Sequence, residues 1–156
     1  AVVAPHWPDS VTVRVTERVP LVIVTARGGS FLVDASGRIL APAAASSSRP
    51  LLVSPTRVGH PGTWLAAAAR PGLAVASAAQ RLLTVPVRTV HVALDGTVQL
   101  DLGGGVGVKV GPDTAVDAKL VALASVLAAA PPPGPETIDV TVPGEPTVAA
   151  GGFAAA

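Results

Sequence analysis

The chain has 156 residues, enough for one domain with a core of its own, and a formal net charge of +1. Hydrophobic residues make up 49% of it but aromatics only 3%, so a core must be assembled from Val, Leu, Ile and Ala. Scattered basic residues and only four aromatics (Trp7, Phe31, Trp64, Phe153) exclude a nucleic-acid surface of cationic stripe and stacking rings, and the lack of cysteine excludes disulfides, thiolate catalysis and Cys-ligated metals.

Val11, Val13 and Val15 alternate with Thr12, Arg14 and Thr16, the period of a strand with one buried face. Residues 21–24 form a short apolar run, read as a more buried strand. A turn at Gly28-Gly29 leads to a strand over 31–33. Asp34-Ala35-Ser36-Gly37 has the residue order of a type I turn and returns the chain into 38–40. Residues 41–50, rich in Ala, Ser and Pro, read as a loop, and 51–53 as a short strand or an extended lead-in. Helical segments are expected over 64–69 and 73–83, with Pro71-Gly72 breaking or restarting the helix between them.

Val90, Val92 and Leu94 alternate with polar or small residues, Asp95-Gly96 signals a tight hairpin, and Val98, Leu100 and Leu102 continue in register. Val106, Val108 and Val110 repeat the period after a glycine run. A helix begins near 111–114, with Asp113 and Asp117 in its first turns and Val116, Leu120, Leu123 and Leu127 as its buried stripe. Pro131-Pro132-Pro133-Gly134 ends it. Ile138, Val140 and Val142 alternate with Asp139 and Thr141 as a final strand. Pro143 and Pro146 mark it as an edge, because proline cannot donate to a ladder. The pattern predicts an α+β fold, an antiparallel or mixed sheet with helices packed on it.

Chemistry is sparse. His6, His60 and His91 have no partner at metal-ligand spacing, and read as surface or satisfied histidines. Gly103-Gly104-Gly105-Val106-Gly107 with Lys109 invites comparison with phosphate loops. Such loops lead into a helix, whereas here a strand pattern follows, so a bulged or flexible strand connection is expected. The carboxylates fall in turns, helix starts and strand surfaces, and Glu17 and Arg18 read as an ion pair or an exposed corner. No catalysis, metal or cofactor is expected. The segment 140–148 has two readings from its residues alone: an edge that accepts a partner strand, or an ordinary edge blunted by its prolines. The apolar stretch 116–130 is too short and too charged to span a membrane. A chain opening Ala-Val-Val, without methionine, is expected to be a fragment or a processed product.

Several motifs, taken in order, resemble the FtsQ/DivIB family of bacterial cell-division proteins. Trp7-Pro8 precedes the alternating strand, which closes on Glu17-Arg18-Val19-Pro20. Leu32-Val33-Asp34-Ala35-Ser36-Gly37, Leu94-Asp95-Gly96, Lys119-Leu120 and Ile138-Asp139-Val140-Thr141-Val142-Pro143 follow. The likeness is weakest over 41–85. It implies an FtsQ/DivIB-like β domain over 19–148, preceded by the last strand of a POTRA domain (1–18) and followed by a disordered tail (149–156). It also implies a domain junction at Trp7, Pro8, Glu17, Arg18 and Pro20. The parent protein would be single-pass in the cell membrane, anchored upstream of this segment, with the domain extracytoplasmic at the division septum. Members act as non-enzymatic divisome scaffolds that bind FtsB/DivIC-like and FtsL-like partners, the former by adding a strand to the last strand of the β domain. That position corresponds to Val140, Thr141, Val142, Gly144, Glu145, Pro146, Thr147 and Val148. The aromatic side chains that anchor the partner in well-studied members are replaced here by Val142 and Ala150. The alternative is a secreted or envelope β-rich binding or adhesion domain of another kind.

Overall fold

The structure, a computed structural model, describes residues 2–6, 10–44, 48–129 and 135–151. Within these the elements run β1 (Val2–His6), β2 (Ser10–Arg14), β3 (Pro20–Ala26), β4 (Gly29–Asp34), β5 (Ile39–Pro42), β6 (Leu51–Val53), α1 (Arg70–Leu82), β7 (Thr89–Val92), β8 (Val98–Gly103), β9 (Val106–Gly111), α2 (Val116–Ala129), β10 (Glu136–Asp139) and β11 (Thr147–Ala150). β1 and β2 pair only with each other, and the other nine strands form one sheet in the order β11-β10-β9-β8-β7-β6-β3-β4-β5. The fold is α+β and the sheet is mixed. The pairs β3·β6, β6·β7 and β9·β10 are parallel, the rest antiparallel. Parallel neighbours need a crossover, and α1 and α2 supply it between β6 and β7 and between β9 and β10.

The registers place Val24, Leu52, Val90, Leu100, Val108 and Ile138 in one row across the sheet, and all are buried. Each such side chain contributes about 1.5–3 kcal/mol of transfer free energy. Helix α1 lies on this face at close range: a Cβ on Gly72 would sit 2.3 Å from Val92 Cγ2 and 2.5 Å from Leu52 Cδ1. The row on the opposite face holds Thr25, Val53, His91, Gln99, Lys109 and Asp139, half-buried or exposed. The sheet is thus apolar under its helices and mostly polar on its other face.

Lys119 on α2 is only 2% exposed, an unusual place for an ammonium group. Burial pushes its pKa down, opposed by the charge of Asp113. Its Nζ donates to the Pro112 carbonyl at 2.8 Å, which ties α2 to the end of β9.

Several expectations are corrected. Residues 64–69 do not form a helix. Trp64 makes a β-bridge to Arg38, and only Ala67–Ala69 wind into a 3-10 turn. Of the two readings for Pro71-Gly72, the restart holds: Pro71 sits in the first turn of α1, where a missing N–H costs nothing, and the pair opens the helix. Leu94 belongs to the β7–β8 turn and is 78% exposed. Gly96 at φ 84° and the hydrogen bond from the Ala93 N–H to the Thr97 carbonyl make that turn longer than the two residues expected. The glycine run is a bulged strand connection, as read from the sequence: it joins β8 and β9 as a hairpin with a register shift between Asp101 and Gly103, and Gly103, Gly104 and Gly105 all have positive φ. β1 was not anticipated. The final strand expected through 138–142 ends at Asp139, and Ala149 and Ala150, expected in the tail, belong to β11.

Candidate partner-binding edge

Two of the motifs meet in space. The Arg18 guanidinium donates to Asp34 Oδ2 at 2.7 Å. Asp34 Oδ1 accepts from the Ser36 N–H at 2.9 Å, the Ser36 hydroxyl at 2.6 Å and the Arg38 N–H at 2.9 Å. Burial alone would raise the Asp34 carboxyl. The bonds from the Ser36 hydroxyl, Arg18 and the Arg38 and Ser36 N–H groups outweigh it and hold the pKa at about 2, below 3.8. Gly37, at φ 88°, completes the turn between β4 and β5. Arg18 and the Pro20 end of β3 are therefore fastened to the main sheet. Glu17 is exposed and makes no ion pair among the described residues. Trp7 and Pro8 lie outside the described residues. The side chains of Thr12, Val13 and Arg14 are exposed on both faces of β2, with Val13 at 57%. The buried face that the period-two pattern suggests is therefore not formed by the described side chains: Val13 and Val15 are both exposed.

The residues of the expected accepting strand fall into three groups. Val140 is fully buried, and its N–H donates to the Lys109 carbonyl at 3.0 Å, so it offers a partner nothing. Thr141, Val142, Gly144, Glu145 and Pro146 form a connecting loop. Its start is set by the Thr141 N–H donating to Asp139 Oδ1 at 2.9 Å, and the Glu145 N–H donates to the Val142 carbonyl. Burial raises Asp139, but the Thr141 hydrogen bonds and the charge of Lys109 bring it below its ordinary value. Thr147 and Val148 lie in β11, which reverses direction and pairs antiparallel with β10. One continuous strand over 140–148 is ruled out physically: Pro143 and Pro146 flank the reversal and cannot donate to a ladder.

β11 is the open edge. The register pairs Thr147 with Asp139, Val148 with Ile138 and Ala149 with Thr137, and the Gly151 N–H donates to the Pro135 carbonyl at 3.1 Å. In an antiparallel ladder hydrogen-bonded pairs alternate. Residues 147, 149 and 151 therefore turn their backbone groups toward β10, and Val148 and Ala150 turn theirs outward. Every β11 side chain is uncharged and exposed, with Val148 at 50%. The other edge, β5, is covered: the Ile39 N–H donates to the Thr63 carbonyl and the Gly62 N–H to the Ile39 carbonyl, and Pro42 has no N–H. β11 lacks the charges and prolines that usually blunt an edge.

No protein-family model and no characterised protein matches the chain. Among the described residues no three His, Asp or Glu side chains converge as metal ligands, and no helix is long and apolar enough to cross a membrane. His60 is exposed, its Nδ1 3.2 Å from the Pro61 carbonyl, and His91 lies half-buried on the polar face of the sheet. What the geometry offers chemically is a strand-accepting backbone edge, with β10 and the helix-covered sheet as a rigid support.

Proposed function

We propose that this chain is the extracytoplasmic β domain of an FtsQ/DivIB-like division scaffold, without catalytic activity. It binds FtsB/DivIC-like and FtsL-like partners at the septum, and its parent is held in the membrane by an anchor upstream. The FtsB/DivIC-like partner adds a strand along the outer edge of β11. The observation that carries this reading is the uncharged β11 edge, with the Val148 and Ala150 backbone groups facing outward. The ordered motifs from Trp7-Pro8 to Val142-Pro143 support the family assignment. Main-chain pairing supplies affinity in such additions, and side-chain pockets supply specificity. With Val142 and Ala150 in place of aromatic anchors, backbone pairing carries a larger share here.

The test is binding of the cognate FtsB/DivIC ectodomain to the chain and to Val148→Pro, which removes an outward N–H but no bond to β10. Binding is expected to fall by tenfold or more, about 1.4 kcal/mol, with circular dichroism unchanged. Undiminished binding by the folded variant would overturn strand addition at β11. An ectodomain that does not bind the unaltered chain would overturn the division reading and leave an envelope module with some other strand donor.

A further inference from the structure

A second surface lies at the far end of the sheet. Between the β4–β5 turn and the first turns of α1 is an open groove of about 630 Å3, lined by Ser36, Trp64, Arg70, Leu73 and Ser77 among others. Trp64 is 52% exposed although its backbone is fixed by the bridge to Arg38. The Arg38 guanidinium carbon stands 5.3 Å from the centroid of the indole ring, so ring and cation form one presented unit. Arg70 is exposed and makes no ion pair among the described residues. No lining side chain is acidic. Asp34, bonded to the lining residue Ser36, is already engaged by Arg18, Ser36 and the Arg38 N–H. In a chain of net charge +1, two uncompensated guanidinium groups beside an exposed indole are a local feature.

We infer that this groove is a docking site for an acidic peptide segment of a protein partner, distinct from the β11 edge. Carboxylates of the segment pair with Arg70 and Arg38, and an apolar side chain between them lies on Trp64 and Leu73. Charge complementarity selects the occupant: the groove offers Arg70, hydroxyl groups and one aromatic face, Arg38 stands against that face at the groove's edge, and a cationic or neutral segment would leave both cations unpaired. A nucleic acid is the less fitting ligand, because one ring and two arginines supply neither a run of stacking platforms nor a phosphate track. Tryptophan and arginine are also the side chains that most often dominate protein interfaces. Because β5 and β11 close opposite ends of the sheet, the domain can hold two partners at once.

The experiment follows Trp64 emission in a Trp7→Phe background while acetyl-Asp-Glu-Leu-Glu-Asp-amide is added at low salt. A saturable change is expected, weakened by added salt. It is expected to be absent for the counterpart with lysine at each acidic position. Arg70→Glu keeps the fold, since an acidic residue suits a helix N-terminus, and together with Arg38→Gln it should weaken binding roughly tenfold or more. Val148→Pro should leave this binding unchanged, which separates it from the β11 proposal. No response to the acidic peptide, an equal response to the lysine counterpart, undiminished binding by the double variant, or tighter binding of a thymidine oligonucleotide would each overturn the inference.

Discussion

Asp34 shows how one side chain joins two distant stretches of sequence. Its folded carboxyl titrates at about 2 and an unfolded one at 3.8. As pH falls the unfolded chain takes up the proton first. The stabilisation is therefore fully present above pH 4 and is lost as pH drops toward 2. The gap corresponds to about 2 kcal/mol. Asp34→Asn should cost about that much at pH 7 and clearly less at pH 3, where the unaltered chain has already lost part of this stabilisation, as read by urea unfolding at both values. Gly72 is the other single position with a sharp expectation. Alanine there gains about 1 kcal/mol of helix propensity, but its methyl would collide with Val92 and Leu52 on the sheet. Overpacking costs about 1–3 kcal/mol, so Gly72→Ala should lower the thermal midpoint. A rise would mean that α1 rides further from the sheet than described.

At the scale of elements, β11 yields a paired prediction. Thr147→Pro removes an N–H that faces β10 and should loosen the strand, costing about 1–3 kcal/mol and exposing the Ala149 amide to hydrogen exchange. Val148→Pro removes an outward N–H and should cost less than about 1 kcal/mol. Equal costs would contradict the alternation of the ladder. Period-two runs made β7, β8, β9 and the start of β10 legible in the sequence, because one face of each packs under the helices, and a continuous apolar run did the same for β3. The crossovers were legible too, as strand, helix and strand over 51–92 and 106–139, yet the parallel pairs they imply went unread. What no local pattern could tell is where the last strand folds back. Ile138, Val140 and Val142 alternate correctly, but the turn is made by Asp139 capping Thr141 and by prolines further on. Trp64 was misread for a similar reason: its neighbours are good helix formers, and a tertiary bridge to Arg38 overrides them. The edge residues Thr147 and Val148 were found from the sequence. The groove beside Trp64 was not, because Ser36, Trp64 and Arg70 come together only when the β4–β5 turn meets α1.

For the whole molecule, the separation of β1 and β2 from the nine-stranded sheet predicts independence. A two-stranded ribbon contributes little stability by itself. Deleting residues 1–14 while keeping Arg18 should move the thermal midpoint by less than about 2 °C. A large drop would show that the hairpin supports the sheet. The two sheet ends also differ in a way that limits assembly. A strand-accepting protein with both edges open can string copies together without end. Among the described residues β5 is closed by the 62–65 segment and by Pro42, and β11 is the edge of the nine-stranded sheet left open. The sheet can therefore be extended from one side only. Each copy is a terminus rather than a link, even at high local concentration.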